Sequence, residues 1–409
     1  MNIFIRLRVF IALTLLLTSF VIQMSYAQSS FKSKWDNGFK VESDDGNFKL
    51  KFGGRIMYDF AVFGQDNDLE QAFGEYKNGV EFRRLRFFNS GTVYSNLNYK
   101  LQIDFAGGKV SLKDAFIEIS DIKGLGNIRI GNFKEPFRLE VLTSSKYITF
   151  MERSTMIALN QERNTGIILH NQTANGRLNW QAGLFRNGDD TGDDKNADSG
   201  IVFGGRIAGV LPLQSESNSE FVHLGASFSL RNPNKNVFEI ESTPETHLGP
   251  KYLNTGEITN VDNSNLIGLE LALVTGAFSF QSEYARAQVN LSETDVDKYS
   301  FPSYYAQVSY FLTGESRNYK FKAAYEGFDR VKPSQNFGSG GPGAWELALR
   351  YSSSDWNDQG LNAGKLSNIT VGLNWYLNPV SRLMANYIFA NLDEVGKANI
   401  FQMRMQIDF

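Results

Sequence analysis

The sequence predicts an all-β protein: a transmembrane antiparallel β-barrel of sixteen strands. Three observations predict it. Segments of about ten residues with period-two alternation recur from Asn47 onward, and a strand sends alternate side chains to opposite faces. The chain ends on FQMRMQIDF, where Phe401, Met403, Met405, Ile407 and Phe409 share one parity and Gln402, Arg404, Gln406 and Asp408 the other. The N-terminus has the layout of an export signal, and no later stretch reaches the roughly 20 apolar residues of a membrane helix, so any insertion must use strands.

At the start, MNIFIRLRVFIALTLLLTSFVIQMSYAQ places Arg6 and Arg8 before an apolar run from Val9 to Ile22, then Ser25, Tyr26 and Ala27. That is a cleavable secretory signal, residues 1–27, with cleavage after Ala27. The run is too short for a membrane anchor. Residues 28–46 are then an N-terminal periplasmic segment and 47–409 the barrel. Composition agrees, since 409 residues with 37 glycines, 13% aromatics and a mean hydropathy of −0.29 are too polar for a helical membrane protein. The chain has no cysteine, which excludes disulfides and thiolate metal sites, and only His170, His223 and His247 as histidines. No metal and no cofactor is expected. Export removes Arg6 and Arg8, leaving 39 basic against 44 acidic residues; a net charge of −5 gives no sign of nucleic-acid binding.

Along the barrel, Phe48, Leu50, Phe52, Ile56, Tyr58, Phe60 and Val62 share a parity opposite to Lys49, Lys51, Arg55 and Asp59. The alternation returns in LNYKLQIDF, RLNWQAGLF, FVHLGASFSL, AWELALRY, ITVGLNWYLN and RLMANYIFANL. Phe, Tyr and Trp gather near strand ends, as in membrane-barrel girdles, and no helical periodicity follows the signal. Seventeen segments alternate, whereas single-chain barrels have even strand numbers. YKFKAAYEGF (Tyr319–Phe328) is the segment to remove from the wall, because Lys332–Gly343 after it is rich in Gly and Pro. Thr313–Gly343 becomes one long periplasmic excursion. Tight turns at Ser95-Asn96, Ala174-Asn175, Gly276 and Asn378–Val380 then face the periplasm. The long connections Gln65–Lys77, Asn132–Asn164, Asn187–Gly200 and Arg231–Asn263 face outward.

The stretches EFRRLRFFNSGTVYSNLNYKLQIDF, VSLKDAFIEI and IRIGNFKEPFRLEVLTSSKYITFMERS resemble the phosphate-selective porins O and P. So does GAWELALRYSSSDWNDQG with the later ITVGLNWYLNPVSRLMANYIF. Together they span most of the mature chain; the match is weakest between about Asn187 and Val296. The resemblance implies a trimeric sixteen-stranded outer-membrane porin whose third extracellular loop, here Asn132–Asn164, folds inward. It also implies anion selectivity from arginines lining the eyelets and lysines near the constriction. Phe409 on its alternating strand resembles the signal read by the barrel assembly machinery.

Parity puts Lys49, Lys51, Arg55, Arg84, Arg86, Lys100, Arg129, Arg206, Arg350, Arg382 and Arg404 on lumen faces. Asp59, Asp104, Asp114, Glu118, Glu270, Glu283, Glu346 and Asp408 share those faces, an excess of three bases in a net-negative chain. The inward loop adds Lys134, Arg138, Lys146, Arg153 and Arg163 against Glu135, Glu140, Glu152 and Glu162, while acids gather in DDTGDDKNAD (Asp189–Asp198). The anion-binding candidates are Arg84, Arg86, Lys100, Arg129, Lys134, Arg138, Lys146, Arg153, Arg206, Arg350 and Arg404. Arginine suits phosphate because its planar fork offers two parallel hydrogen bonds, and transport needs several weak sites in series. Crossed bands of paired charge that only stabilise the wall would give the same pattern.

The reading is a passive porin for small anions such as phosphate, set in outer-membrane lipid of a Gram-negative cell. The alternative is a general or carbohydrate-permissive porin with lumen aromatics at the constriction. A barrel-borne hydrolase would need a nucleophile, base and orienting group at one rim. His223 and His170 fall on lumen parities, but no GxSxG or HExxH motif is present, so no enzyme is expected. A soluble β-helix or sandwich adhesin is disfavoured by the terminal strand and the aromatic girdles.

Overall fold

The computed structural model describes residues 30–173, 176–194, 200–213, 220–233, 235–320 and 327–409. The expected signal, the turn at Ala174-Asn175 and part of the acidic run Asp189–Asp198 lie outside the described residues.

Sixteen strands build the wall. They are β1 (Lys49–Gln65), β2 (Asn78–Val93), β3 (Leu97–Asp104), β4 (Ser111–Ile122), β5 (Gly126–Lys134), β6 (Arg163–Thr173), β7 (Leu178–Arg186) and β8 (Ile201–Pro212). The second half comprises β9 (Phe221–Arg231), β10 (Val261–Thr275), β11 (Phe278–Leu291), β12 (Lys298–Phe311), β13 (Ala344–Asp355), β14 (Lys365–Asn378), β15 (Ser381–Leu392) and β16 (Gly396–Asp408). Neighbours pair antiparallel, and β16 closes on β1 from Ala398 opposite Gln65 to Asp408 opposite Arg55. Closure leaves the sixteen-strand wall without a free edge, which is the condition for crossing lipid with strands.

The alternation in the sequence maps onto this wall. On β16, Phe401, Met403, Met405 and Ile407 are outward and exposed, while Gln402, Arg404, Gln406 and Asp408 are buried inward. One departure is a β-bulge on β2: Met57 of β1 lies opposite Arg84, but Tyr58 lies opposite Phe82. Arg83 is the extra residue, so Phe82 and Phe87 both face out despite opposite parity.

The first wall strand starts and the last one ends at one rim, the terminal rim; the other is the loop rim. Tight turns at 94–96, 276–277 and 379–380 fall at the terminal rim, and Gly276 supplies the positive φ (+53°) that its turn requires. Below Phe409, where β16 has ended, a hairpin of Phe31–Trp35 and Phe39–Ser43 pairs with Lys49–Phe52 and continues the wall.

Four details differ from the sequence reading. The strands of the wall extend through Lys134 and from Arg163, so the inward loop is 135–162, shorter than Asn132–Asn164. The connection 232–260, expected to face outward, folds into the loop-rim mouth. Its Ile240, Tyr252, Leu253 and Ile258 join a core with Trp356, Leu366 and Ile388, because that apolar set gains more from burial than from solvent. A short helix, α1 (Asn67–Phe73), interrupts the first long loop; Asp66 caps it by accepting from the Leu69 N–H at 3.0 Å. Seven residues are too few to show a helical period. Finally, the excursion 312–343 leaves the wall as expected but turns inward. Tyr319–Lys320 pairs with Gly327–Phe328, and Tyr319 and Phe328 pack on Leu139, Phe221 and Ala272.

Candidate functional site

Loops enter the lumen from both rims, and open space runs along the β1–β6 side. From the terminal rim a vestibule of about 1300 Å³ opens between the hairpin, those strands, the loop segment Leu142–Tyr147 and the excursion at Gly327–Asp329. It is lined by Lys34, Lys40, Lys49, Lys51, Lys100, Arg129 and Lys146, with Glu42, Glu118, Asp121 and Asp329 as its acids. It narrows into a constriction of about 60 Å³, room for a few waters or one small ion. Arg55, Lys100, Gln102, Leu142 and Ser144 line both spaces.

The constriction is bounded by seven cations, Arg55, Arg84, Arg86, Lys100, Lys134, Arg153 and Arg163, against the carboxylates Asp114 and Glu162. Strand geometry gathers them: Arg55 lies opposite Arg86 across β1 and β2, and Arg86 opposite Asp104 of β3. Arg86 Nε donates to Asp104 at 2.6 Å, Lys100 reaches Asp114 at 2.5 Å, and Arg163 Nε reaches the same carboxylate at 2.8 Å. Lys134, Arg153 and Arg163 converge on Glu162 at 3.0, 3.5 and 3.1 Å. Burial alone would raise the Glu162 carboxyl, but these cations hold it well below the usual carboxylate range. Arg55 differs. It donates to Ser145 Oγ at 2.7 Å and Ser144 Oγ at 3.5 Å, and among the described residues it enters no ion pair.

The inward loop is held by charge. Glu152 accepts two bonds from Arg83, at 2.8 and 2.9 Å, and one from Arg404 at 2.7 Å, and lies 3.6 Å from Arg84. Its carboxyl is also held well below the usual range: the three guanidiniums outweigh the effect of burial. On the excursion, Tyr319 bonds His223 Nδ1 at 2.9 Å, and the Phe328 N–H donates to Thr143 Oγ1 at 3.3 Å. Elements entering from opposite rims therefore meet at Thr143.

Of the eleven candidate bases, Arg84, Arg86, Lys100, Lys134 and Arg153 surround the constriction, and Arg129 and Lys146 line the vestibule. Four lie elsewhere. Arg138 is buried within the loop, bonding Asn160 Oδ1 at 2.6 Å and the Met156 carbonyl. Arg206 forks onto Glu270 at 2.8 and 2.6 Å, and His223 reaches the same carboxylate at 2.9 Å. Arg350 is taken by Glu245 of the second inward loop at 3.1 Å and by Glu140 at 3.4 Å. Arg404 forks onto Asp59, both contacts 2.6 Å. His170 bonds Glu118 at 3.1 Å. Sequence reasoning counted Arg55 and Arg163 as inward bases without placing them in the site, and it missed Arg83. The outward parity switch between Phe82 and Phe87 was the available signal for that bulge.

Comparison with known proteins agrees with this architecture. Residues 50–409 match the family model described as phosphate-selective porin O and P. Porin O of Pseudomonas aeruginosa is 27% identical, covering 90% of this chain and 88% of its own. An anion-selective porin from Comamonas acidovorans superposes with a TM-score of 0.56 at 14% identity, over 88% of this chain and all of its own. The outer-membrane channel DcaP of Acinetobacter baumannii superposes with a TM-score of 0.55 at 11% identity, over 90% and 99%; at such identities these two establish the fold alone. A closed sixteen-strand barrel, narrowed by an inward loop and matched by one family model over nearly its whole wall, is thus a channel protein rather than an enzyme: the chain belongs to the phosphate-selective porin O and P family and is an outer-membrane porin.

Proposed function

We propose that this porin passes small anions, phosphate among them, from vestibule to constriction along the β1–β6 wall. The observation that carries the reading is the cationic constriction, seven bases against two lining carboxylates in a space about 60 Å³ in volume. Charges interact more strongly there than in the open vestibule, because little water is present to screen them. Cations shared among carboxylates offer partial sites, weak enough to release an ion to the next. The phosphate selectivity for which the family is named and the anion selectivity of the Comamonas porin point the same way. In this reading the signal is cleaved after Ala27, the terminal rim faces the periplasm, and three copies assemble in outer-membrane lipid after delivery by the barrel assembly machinery.

The pairing of Arg86, Lys100 and Arg163 with carboxylates favours a second reading, general diffusion without anion preference. Reversal potential under a salt gradient, with block of chloride current by added phosphate, separates the two. Arg84→Ala with Arg86→Ala should weaken anion preference without unfolding the barrel, since a polar lumen tolerates substitution better than the lipid face. Arg84→Lys should keep anion attraction but weaken phosphate block, because lysine lacks the bidentate fork. A double variant with unchanged selectivity and block would establish general diffusion instead.

A further inference from the structure

The outer face of β10, β11 and β12 changes character partway along the strands. Toward the terminal rim its outward residues include Leu269, Leu271, Phe280 and Val308; toward the loop rim they include Asn263, Asn265, Gln288, Asn290, Lys298 and Ser300. The change falls at Arg286, half-buried between Ile267 and Pro302 on the adjoining strands. One outward position below it, Tyr284 lies opposite Tyr304, whose ring is 6.1 Å from that of Tyr351. Outward tyrosines at one level mark the membrane–water interface of a barrel. The adjoining β9 stays apolar through Phe228 and Leu230, so the polar patch is local.

The amides partner one another. Asn290 and Asn265 donate to Asn263 Oδ1 at 2.6 and 3.2 Å, and Gln288 donates to Asn290 Oδ1 at 2.9 Å. Arg286 is left over: among the described residues it enters no ion pair, and its Nε has no hydrogen-bond partner. A lipid-facing arginine costs roughly 2–4 kcal/mol at the bilayer midplane and about 0–1 kcal/mol near the interface. Above the tyrosines it is tolerated, and no carboxylate among the described residues pairs with it.

We infer that Arg286, with the amide patch above it and the tyrosines below, binds the phosphate of an anionic lipid headgroup in the leaflet at the loop rim. The inference rests on the wall being lipid-facing, which follows from the porin reading. The guanidinium fork matches phosphate oxygens, and Ile267 beside it and Leu269 one outward position below offer an apolar surface for the acyl chains.

The test is native mass spectrometry of the full chain in detergent, with phosphatidylglycerol or phosphatidylcholine added. Wild type should retain phosphatidylglycerol over phosphatidylcholine by about tenfold, the scale of a charged hydrogen bond. Arg286→Gln should lose that preference, Arg286→Lys should keep part of it, and single-channel conductance should be unchanged in both, which separates this site from the pore. A wild type without the preference overturns the inference even if Arg286→Gln fails to fold. So does an Arg286→Gln variant that keeps the preference, or one that keeps it while subunits dissociate, which would make the patch a contact between copies.

Discussion

Arg55 is set apart from its neighbours because its partners are hydroxyls, whereas Arg86 is half-neutralised by Asp104 at 2.6 Å. Arg55→Ala should therefore reduce anion preference more than Arg86→Ala does. One charge near a partly hydrated ion is worth about 1 kcal/mol, or roughly a fivefold change in the anion-to-cation permeability ratio. Planar-bilayer reversal potentials check this; equal effects would mean that carboxylate pairing does not discount a lumen cation. Lys146 gives a pH-dependent expectation. Burial lowers its ammonium to about 8, despite the opposing pull of Asp408 at 3.1 Å, with Arg55 and Arg330 adding to the lowering. Its charge is present below that pH and lost above it, so the anion preference of the vestibule should fall between pH 7 and 9. Lys146→Met should already show the reduced preference at pH 7 and lose this step in a titration of reversal potential.

The inward loop 135–162 is fixed at Glu152, where Arg83, Arg84 and Arg404 meet one carboxylate. Removing one partner of a buried charge network costs about 3–5 kcal/mol, because the remaining charges stay buried without compensation. Glu152→Gln should release the middle of the loop from β2 and β16 while leaving the barrel closed. Single-channel conductance should rise and become noisier, with the heat-modifiable folded band retained on electrophoresis; an unchanged conductance would show that Arg138 and the apolar contacts hold the loop alone. The bulge at Arg83 is what allows two successive residues of β2 to serve Glu152 and the constriction together.

At the scale of the molecule, closure joins the first wall strand to the last. The Phe409 N–H donates to the Gly54 carbonyl at 3.2 Å, and the Gly54 N–H donates back at 2.6 Å. A Cβ on Gly54 would stand 2.7 Å from the Phe409 ring, so glycine is needed for this close approach. Deleting Phe409 should lower the heat-modifiable band in the outer-membrane fraction while leaving the conductance of assembled channels unchanged. Gly54→Val should do the same through the seam, although the terminal residue is intact. Normal membrane levels of both variants would show that neither the seam contact nor a terminal assembly signal is limiting.

The barrel was legible in the sequence because lipid on one side and water on the other impose a period of two on every strand, and local alternation records that period directly. The terminal strand and the seventeen alternating segments follow from it; the even strand number of closed barrels and the Gly- and Pro-rich stretch after Tyr319–Phe328 then reduce the wall to sixteen. The inward face of each base was legible for the same reason, except at Arg83, where a bulge shifts the parity. What each base does was decided only in three dimensions. Arg350 and Arg84 both occupy inward positions, yet Arg350 is taken by Glu245 from a loop more than a hundred residues earlier, while Arg84 borders the constriction. Pairing depends on which loop enters the lumen and how far it reaches. Loops carry no period, and burial of their apolar residues against distant strands set the path of 232–260 and of the excursion that meets Thr143.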